Sequence, residues 1–328
     1  MKAKITEPCK LFFIVPSNSK VDMKAGIFLP QIGAAATKEN VIYVAKESEK
    51  RGLDSLWVLE RLLYPIKPRT PYVGTPDGHL PEDYQTVFDP IDLLSYVAAH
   101  TSSISLGTSV LDMPFHNPVT LGKRLATLDV LSEGRLIAGL GIGWSKDEYE
   151  VANVPYENKG ARADEFIQAL KNVWTSDIVE FSGKYYKIPP SKIGPKPVQK
   201  PHPKILLGGF APKTFERIIN HADGWLGIVA MPMSQLQQII SSLKQAAPSA
   251  NKQVQVILLG FPYVMESKAA EETRAPLTGT IDQIGKDIEQ IKKMGVEHLI
   301  IAANAFTPLA KDVKKTVDTT VQLAGFAR

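Results

Sequence analysis

Apolar positions along the chain follow two alternating patterns. Short, nearly continuous apolar runs are followed by longer stretches in which apolar residues recur every three or four positions. The runs predict strands covered on both faces, and the longer stretches predict helices with one buried face. Eight strands are placed in this way: Lys24–Leu29, Ser55–Leu59, Ile104–Val110, Leu136–Leu140, Lys204–Leu207, Trp225–Val229, Gln255–Leu259 and His298–Ala302. The clearest helix is Ala161–Ser176, where Phe166, Leu170, Val173 and Trp174 form a single stripe of the kind that packs into a core.

The joins between these elements repeat. A helical stretch ends at a glycine and a strand follows, as in Lys50-Arg51-Gly52-Leu53 and Lys293-Met294-Gly295-Val296. Looser copies are Ser132-Glu133-Gly134-Arg135 and Ala222-Asp223-Gly224-Trp225. Glycine suits the residue after a helix because that position often takes the left-handed conformation. Strand, helix, glycine, strand, repeated, implies parallel strands with helical crossovers. Eight units point to a TIM (β/α)₈ barrel with insertion loops at its C-terminal face, and a doubly wound open sheet is the alternative. The insertions are Leu62–Asp89, Asp177–Pro203 and Pro262–Gly279, with a small hairpin expected at Phe181–Tyr186. Long ordered loops of this kind are often lids or binding loops.

Residues 1–22 read as an N-terminal extension and residues 23–328 as a single barrel domain. The extension's apolar run, Leu11–Val15, is shorter than the ~7–15 residues of a signal-peptide core. Met23-Lys24-Ala25 repeats the opening Met1-Lys2-Ala3.

Composition narrows the function classes. At 44% apolar and 22% charged, the chain is too apolar to be disordered, and no run approaches a membrane span. A net charge of +4 without a basic block argues against nucleic acid as a partner. The single cysteine, Cys9, excludes an intrachain disulfide and fits a cytoplasmic location. No metal site is expected, because the six histidines are scattered and neither HExxH nor paired CxxC occurs. No GxSxG elbow supports a serine hydrolase. Gly139-Leu140-Gly141-Ile142-Gly143-Trp144 mimics a dinucleotide fingerprint, but its third glycine comes one place early. It fits better as a strand end where backbone must come close to something flat or tightly packed.

Four ordered segments carry a further signal: Ser105–Leu111, His116-Asn117-Pro118, Ala126–Arg135 and Gly139–Trp144. Together with Arg162–Glu165, Phe181–Tyr186, Pro195–Pro203, Gly208-Gly209 and Ala222–Trp225, they span Lys24 to Ala303. This set resembles the luciferase-like monooxygenase superfamily, and more narrowly its branch using the deazaflavin coenzyme F420. The resemblance implies a TIM barrel and a redox cofactor, F420 or alternatively FMN. It also implies a non-proline cis peptide in the third strand, between Ser109 and Val110. Cofactor-binding positions carried over are Ser109, Val110, Asp112, Gly143, Trp144, Asp147, Gly208, Gly209, Phe210 and Ala211. Candidate catalytic residues are Glu60, Arg61, His116 and Trp144.

Two departures bear on the substrate. Sugar-phosphate dehydrogenases of that branch carry an Asp-His pair where this chain has Glu60-Arg61, and a glutamate where it has Trp144. An arginine stays protonated and makes a poor base, so sugar-phosphate oxidation is disfavoured and an apolar or planar small molecule is favoured. The expected function is F420-dependent hydride transfer by a homodimer. Alternatives are an FMN-dependent monooxygenase, a non-catalytic coenzyme-binding barrel and a pterin-linked reductase.

Overall fold

The computed structural model describes residues 22–75, 77–247, 253–305 and 307–328. Apart from Asp22, the expected N-terminal extension lies outside the described residues. Eight parallel strands form one sheet: β1 (Lys24–Phe28), β2 (Ser55–Val58), β3 (Ser105–Thr108), β4 (Leu136–Gly141), β5 (Lys204–Gly208), β6 (Gly224–Ile228), β7 (Gln255–Gly260) and β8 (His298–Ile301). Each strand pairs with its sequence neighbours, and β1 pairs with both β2 (Gly26 opposite Ser55) and β8 (Ala25 opposite Leu299). The sheet is therefore a closed barrel and not an open doubly wound layer.

The crossover helices are α1 (Lys38–Lys50), α2 (Pro90–Ala98), α3 (Pro118–Leu131), α4 (Lys146–Val151), α5 (Lys159–Thr175), α6 (Pro212–His221), α7 (Met233–Ala246), α8 (Ile281–Lys293) and α9 (Val313–Ala324). Their starts are set locally. Asp89 and Asn117 each accept two backbone N–H bonds ahead of a proline at the first helical position. Thr280 and Gln283 close a reciprocal capping box on α8. Gly52, Gly134 and Gly295 take positive φ after their helices, as the joins predict. Gly224 does not: α6 ends at His221, the chain leaves it extended at Ala222, and Gly224 is already the first residue of β6.

Two apolar layers hold the barrel. The outer one joins the helices to the outward faces of the strands, with Phe166, Leu170, Val173 and Trp174 of α5 fully within it. The inner one fills the lumen with Phe28, Trp57, Leu206, Leu226, Ile257, Leu259, Ile300 and Ala302. Trp57 fits because Gly26 of β1 and Gly107 of β3 lie against its ring. A Cβ on Gly26 would sit 2.7 Å from the indole nitrogen, and one on Gly107 would sit 2.4 Å from the ring. Large and small residues thus interdigitate across the lumen.

The third stave departs from the sequence expectation of one strand to Val110. β3 stops at Thr108, and pairing resumes at Leu111–Asp112 against Leu140 and Gly141 of β4. Between them the Ser109–Val110 peptide is cis, where the family resemblance put it. The expected hairpin is present as Val179–Ser182 paired with Lys187–Ser191. Among the described residues no helix is long and apolar enough to cross a membrane.

Candidate functional site

The C-terminal ends of β2 to β5 converge around Val110. Its side chain packs onto the lumen cluster from above, and the strand ends on either side carry no side chain. A Cβ on Gly141 would come within 2.4 Å of Val110 Cγ2, and one on Gly208 within 3.1 Å of its Cγ1. The result is a shallow apolar ledge at the barrel mouth that backbone, not bulk, surrounds.

Ionisable groups line one side of this ledge. Glu60, at the end of β2, accepts the Asp112 backbone N–H at 2.8 Å through Oε2. Its Oε1 lies 2.8 Å from His116 Nε2. Asp112 in turn accepts the Gly143 N–H at 2.7 Å. Burial, reinforced by the nearby charges of Glu60 and Glu148, pushes the Asp112 carboxyl up to about 7. Arg61 does not pair with its neighbour Glu60. It pairs with Glu148 at 2.7 Å, the two side chains being 10% and 2% exposed. Glu148 also accepts the Leu62 N–H at 2.8 Å. Burial raises the Glu148 carboxyl, and Arg61 opposes that shift. The guanidinium lies 5.1 Å from the Trp144 ring centre and 6.0 Å from that of Tyr84, and among the described residues its Nε has no hydrogen-bond partner.

The first insertion folds over this corner. Its two ends are tied together by Gln31, a fully buried side chain that accepts the Leu59 N–H and donates to the carbonyls of Leu59 and Phe88. Its middle is fastened to α4. Arg69 donates to Asp147 and the Lys146 carbonyl and pairs with Glu150, while Thr70 accepts the Lys146 N–H. Tyr72 stacks against Trp144, ring centres 5.4 Å apart. A solvent-open cleft of about 30 Å³, room for a water or two, remains between this loop and Trp144.

On the far side of Val110, β5 runs through Gly208 and Gly209 into α6. The Gly209 carbonyl accepts the Trp225 indole N–H at 3.0 Å, and Phe210 packs edge-on against the same indole. Ala211 precedes Pro212 at the first helical position, and no side chain caps α6. Such a helix start offers amide donors and the positive end of the helix dipole. Lys159 reaches the rim from α5 and donates to the Gly143 carbonyl at 3.0 Å.

The sequence candidates therefore gather at one mouth, but not all in the expected relations. Glu60, Arg61, Asp112, His116, Gly143 and Trp144 form a connected corner, and Ser109 and Val110 adjoin it. Gly208, Gly209, Phe210 and Ala211 form the opposite rim. Asp147 faces the loop, held by Arg69, and does not face Val110. Glu148, Arg69, Tyr72 and Gln31 were not singled out from sequence. Among the described residues no group of His, Cys, Asp and Glu is arranged to hold a metal ion.

The luciferase-like monooxygenase profile matches residues 21–315. The chain belongs to that family. An uncharacterised protein of Mycobacterium tuberculosis is 37% identical over 184 residues, 56% of this chain and 65% of the relative's length. An F420-dependent glucose-6-phosphate dehydrogenase of Amycolatopsis mediterranei is 30% identical over 256 residues, covering 74% of this chain and 72% of that one. An FMNH2-dependent dimethylsulfone monooxygenase of Pseudomonas putida is 27% identical over 229 residues, 68% of this chain and 61% of the other. Among solved structures, a monooxygenase from Streptomyces bottropensis superposes with a TM-score of 0.74 at 21% identity, covering 92% of this chain and 98% of that one. An F420-dependent secondary alcohol dehydrogenase gives 0.73 at 16% identity, covering 94% and 99%. These structural likenesses carry the fold, and the profile match carries the family.

Proposed function

We propose that the protein is an oxidoreductase that uses coenzyme F420 to move a hydride to or from a small organic substrate. The observation that carries this reading is the Val110 ledge, cleared by Gly141 and Gly208 and faced by an uncapped helix start. A flat tricyclic ring with a phosphate-bearing chain matches that combination. Ser109 and Val110 would support the ring. Asp112 and Gly143 would edge it, and Gly208 to Ala211 with the start of α6 would receive the phosphate end. When bound, a deazaflavin supplies hydride acceptance or donation at its carbon-5.

The chain's own residues supply placement and protons. The Glu60–His116 contact can hold a proton between Oε1 and Nε2, and so can take up or return the proton that accompanies hydride movement. Glu148, which binds both Arg61 and the Leu62 N–H, keeps the Leu62 turn closed against the rim. The first insertion shields the corner from bulk water.

A second reading, an FMN-dependent monooxygenase, uses the same ledge and phosphate end, and the Pseudomonas putida relative favours it. Titrating apo protein with each coenzyme separates the two. F420 is expected to bind one per chain, at least about tenfold tighter than FMN. Tighter FMN binding would replace the first reading with the second.

A further inference from the structure

Most cations around the barrel mouth are paired: Arg61 with Glu148, Arg69 with Asp147 and Glu150, and Arg217 with Asp164. On the rim that runs outward from Gly143 this changes. Among the described residues Lys146, Lys159, Arg162 and Lys184 form no ion pair and lie against tyrosine rings instead. The Nζ atoms of Lys146 and Lys159 stand 5.6 and 4.1 Å from the Tyr156 ring centre. The Arg162 guanidinium lies 4.6 Å, and Lys184 Nζ 5.4 Å, from the Tyr185 ring centre. A ring holds a cation in place without cancelling its charge. Of the acidic groups close by, Glu165 is engaged by the Lys184 and Tyr185 N–H groups at 2.9 and 2.8 Å, and Glu157 is exposed to solvent.

The patch is continuous with the mouth. Lys159 donates to the Gly143 carbonyl at 3.0 Å, and the Gly143 N–H is bound by Asp112, two residues beyond Val110. Tyr149 and Tyr156 meet edge-on, ring centres 5.0 Å apart. The Arg162 charge acts on the hydroxyls of both Tyr149 and Tyr186, which joins the two halves of the patch. Arg217 of α6 donates to the Gly160 carbonyl at 3.0 Å and so ties the start of α5 to the helix assigned above to the phosphate end. We propose that Lys146, Lys159, Arg162 and Lys184 form a second coenzyme subsite outside the ledge, which receives the chain of glutamates that F420 carries beyond its phosphate. The proposal rests on the coenzyme reading above and sharpens it, because FMN ends at its phosphate and has nothing to place there. Each exposed carboxylate–cation pair is weak alone. Several carboxylates facing several fixed cations gain by summed attraction, so the subsite acts on affinity and is screened by salt.

Equilibrium dialysis of the full chain against two forms of the coenzyme tests this. One form bears a tail of several glutamates, and the other ends at its phospholactyl group. The tailed form is expected to bind at least about tenfold tighter at low ionic strength. That preference should shrink severalfold between about 50 and about 500 mM salt. In the double variant Lys146→Gln, Lys184→Gln, both positions being exposed, the preference is expected to fall at least about threefold. The tailless form should bind the variant as it binds the parent, and the circular dichroism spectra of the two proteins should coincide. Equal affinity for the two forms would overturn the proposal and leave the coenzyme reading standing. A preference that persists undiminished in the double variant, or at high salt, would overturn it in the same way. Failure of both forms to bind the parent would strike the coenzyme reading itself, and the proposal with it.

Discussion

Asp112 is the residue whose surroundings make the sharpest demand. It is buried, sits among the carboxylates of Glu60 and Glu148, and is pushed from its ordinary 3.8 to about 7. In the folded chain it keeps its proton over a range where the unfolded chain has lost it. The folded state therefore binds more protons there, and stability falls as pH rises from near 4 through 7. Asp112→Asn cannot titrate and can still accept the Gly143 N–H. Relative to the parent, the variant is expected to gain stability between pH 5 and pH 8, on the order of a few kcal/mol. Urea unfolding of both proteins at the two pH values checks this, and a constant difference would contradict it.

Glu148 shows where reading at this scale stops. Ser145-Lys146-Asp147-Glu148 spells a capping box, and Ser145 does accept the Glu148 N–H. The carboxylate, however, turns away to hold Arg61 and Leu62, 86 positions back for the latter. Nothing local marks that choice. Glu60 and Arg61 were located by the family resemblance, at the end of the second strand, but their partners depend on how the loop comes to lie on α4.

Among the elements, the first insertion is the one whose behaviour the site depends on. It has one short 3₁₀ turn, Glu82–Gln85, and exposes Ile66 and Val73 at 85% and 91%. Its hold on α4 runs through Leu62, Thr70 and Arg69, and of these the Arg69 side chain is half-exposed. Exposed ion pairs contribute about 0–1 kcal/mol, so Arg69→Ala is expected to leave global unfolding nearly unchanged. Local opening has its own, smaller free energy, and the variant should be cut faster by protease within residues 62–81. Equal cleavage rates for the two proteins would mean that the Arg69 side chain does not fasten the loop. The loop's length and its prolines were legible in the sequence; the α4 contact was not. The third stave divides in the same way. Its apolar run located the strand, the family resemblance located the cis bond, and only the folded barrel shows pairing resuming at Leu111–Asp112.

At the scale of the whole molecule, the barrel was the most legible feature. Eight apolar runs became eight staves, with ends shifted by one or two residues where pairing, not hydrophobicity, sets the limit. The lumen also depends on polar packing at its base. There the Trp57 indole donates to Ser55 Oγ at 2.6 Å, and Ser55 Oγ lies 2.7 Å from His298 Nε2. Burial holds the His298 imidazole down to about 3, so it stays neutral where an unfolded histidine would be charged. The unfolded state binds the extra proton, and stability is expected to fall as pH drops from 6.5 toward 3. His298→Leu should flatten that part of an acid-unfolding profile while lowering stability at neutral pH, because the Ser55 hydroxyl loses one of its two buried partners. An unchanged acid profile would remove His298 from the account of acid sensitivity.

The most direct test of the site is hydrogen–deuterium exchange on the full chain with and without oxidised F420. Coenzyme resting on the Val110 ledge is expected to slow exchange in peptides covering residues 108–112 and 208–214, with no comparable slowing across α7 to α9. Protection confined to other parts of the chain, or none at saturating F420 while FMN produces it, would contradict the placement of a deazaflavin at this mouth.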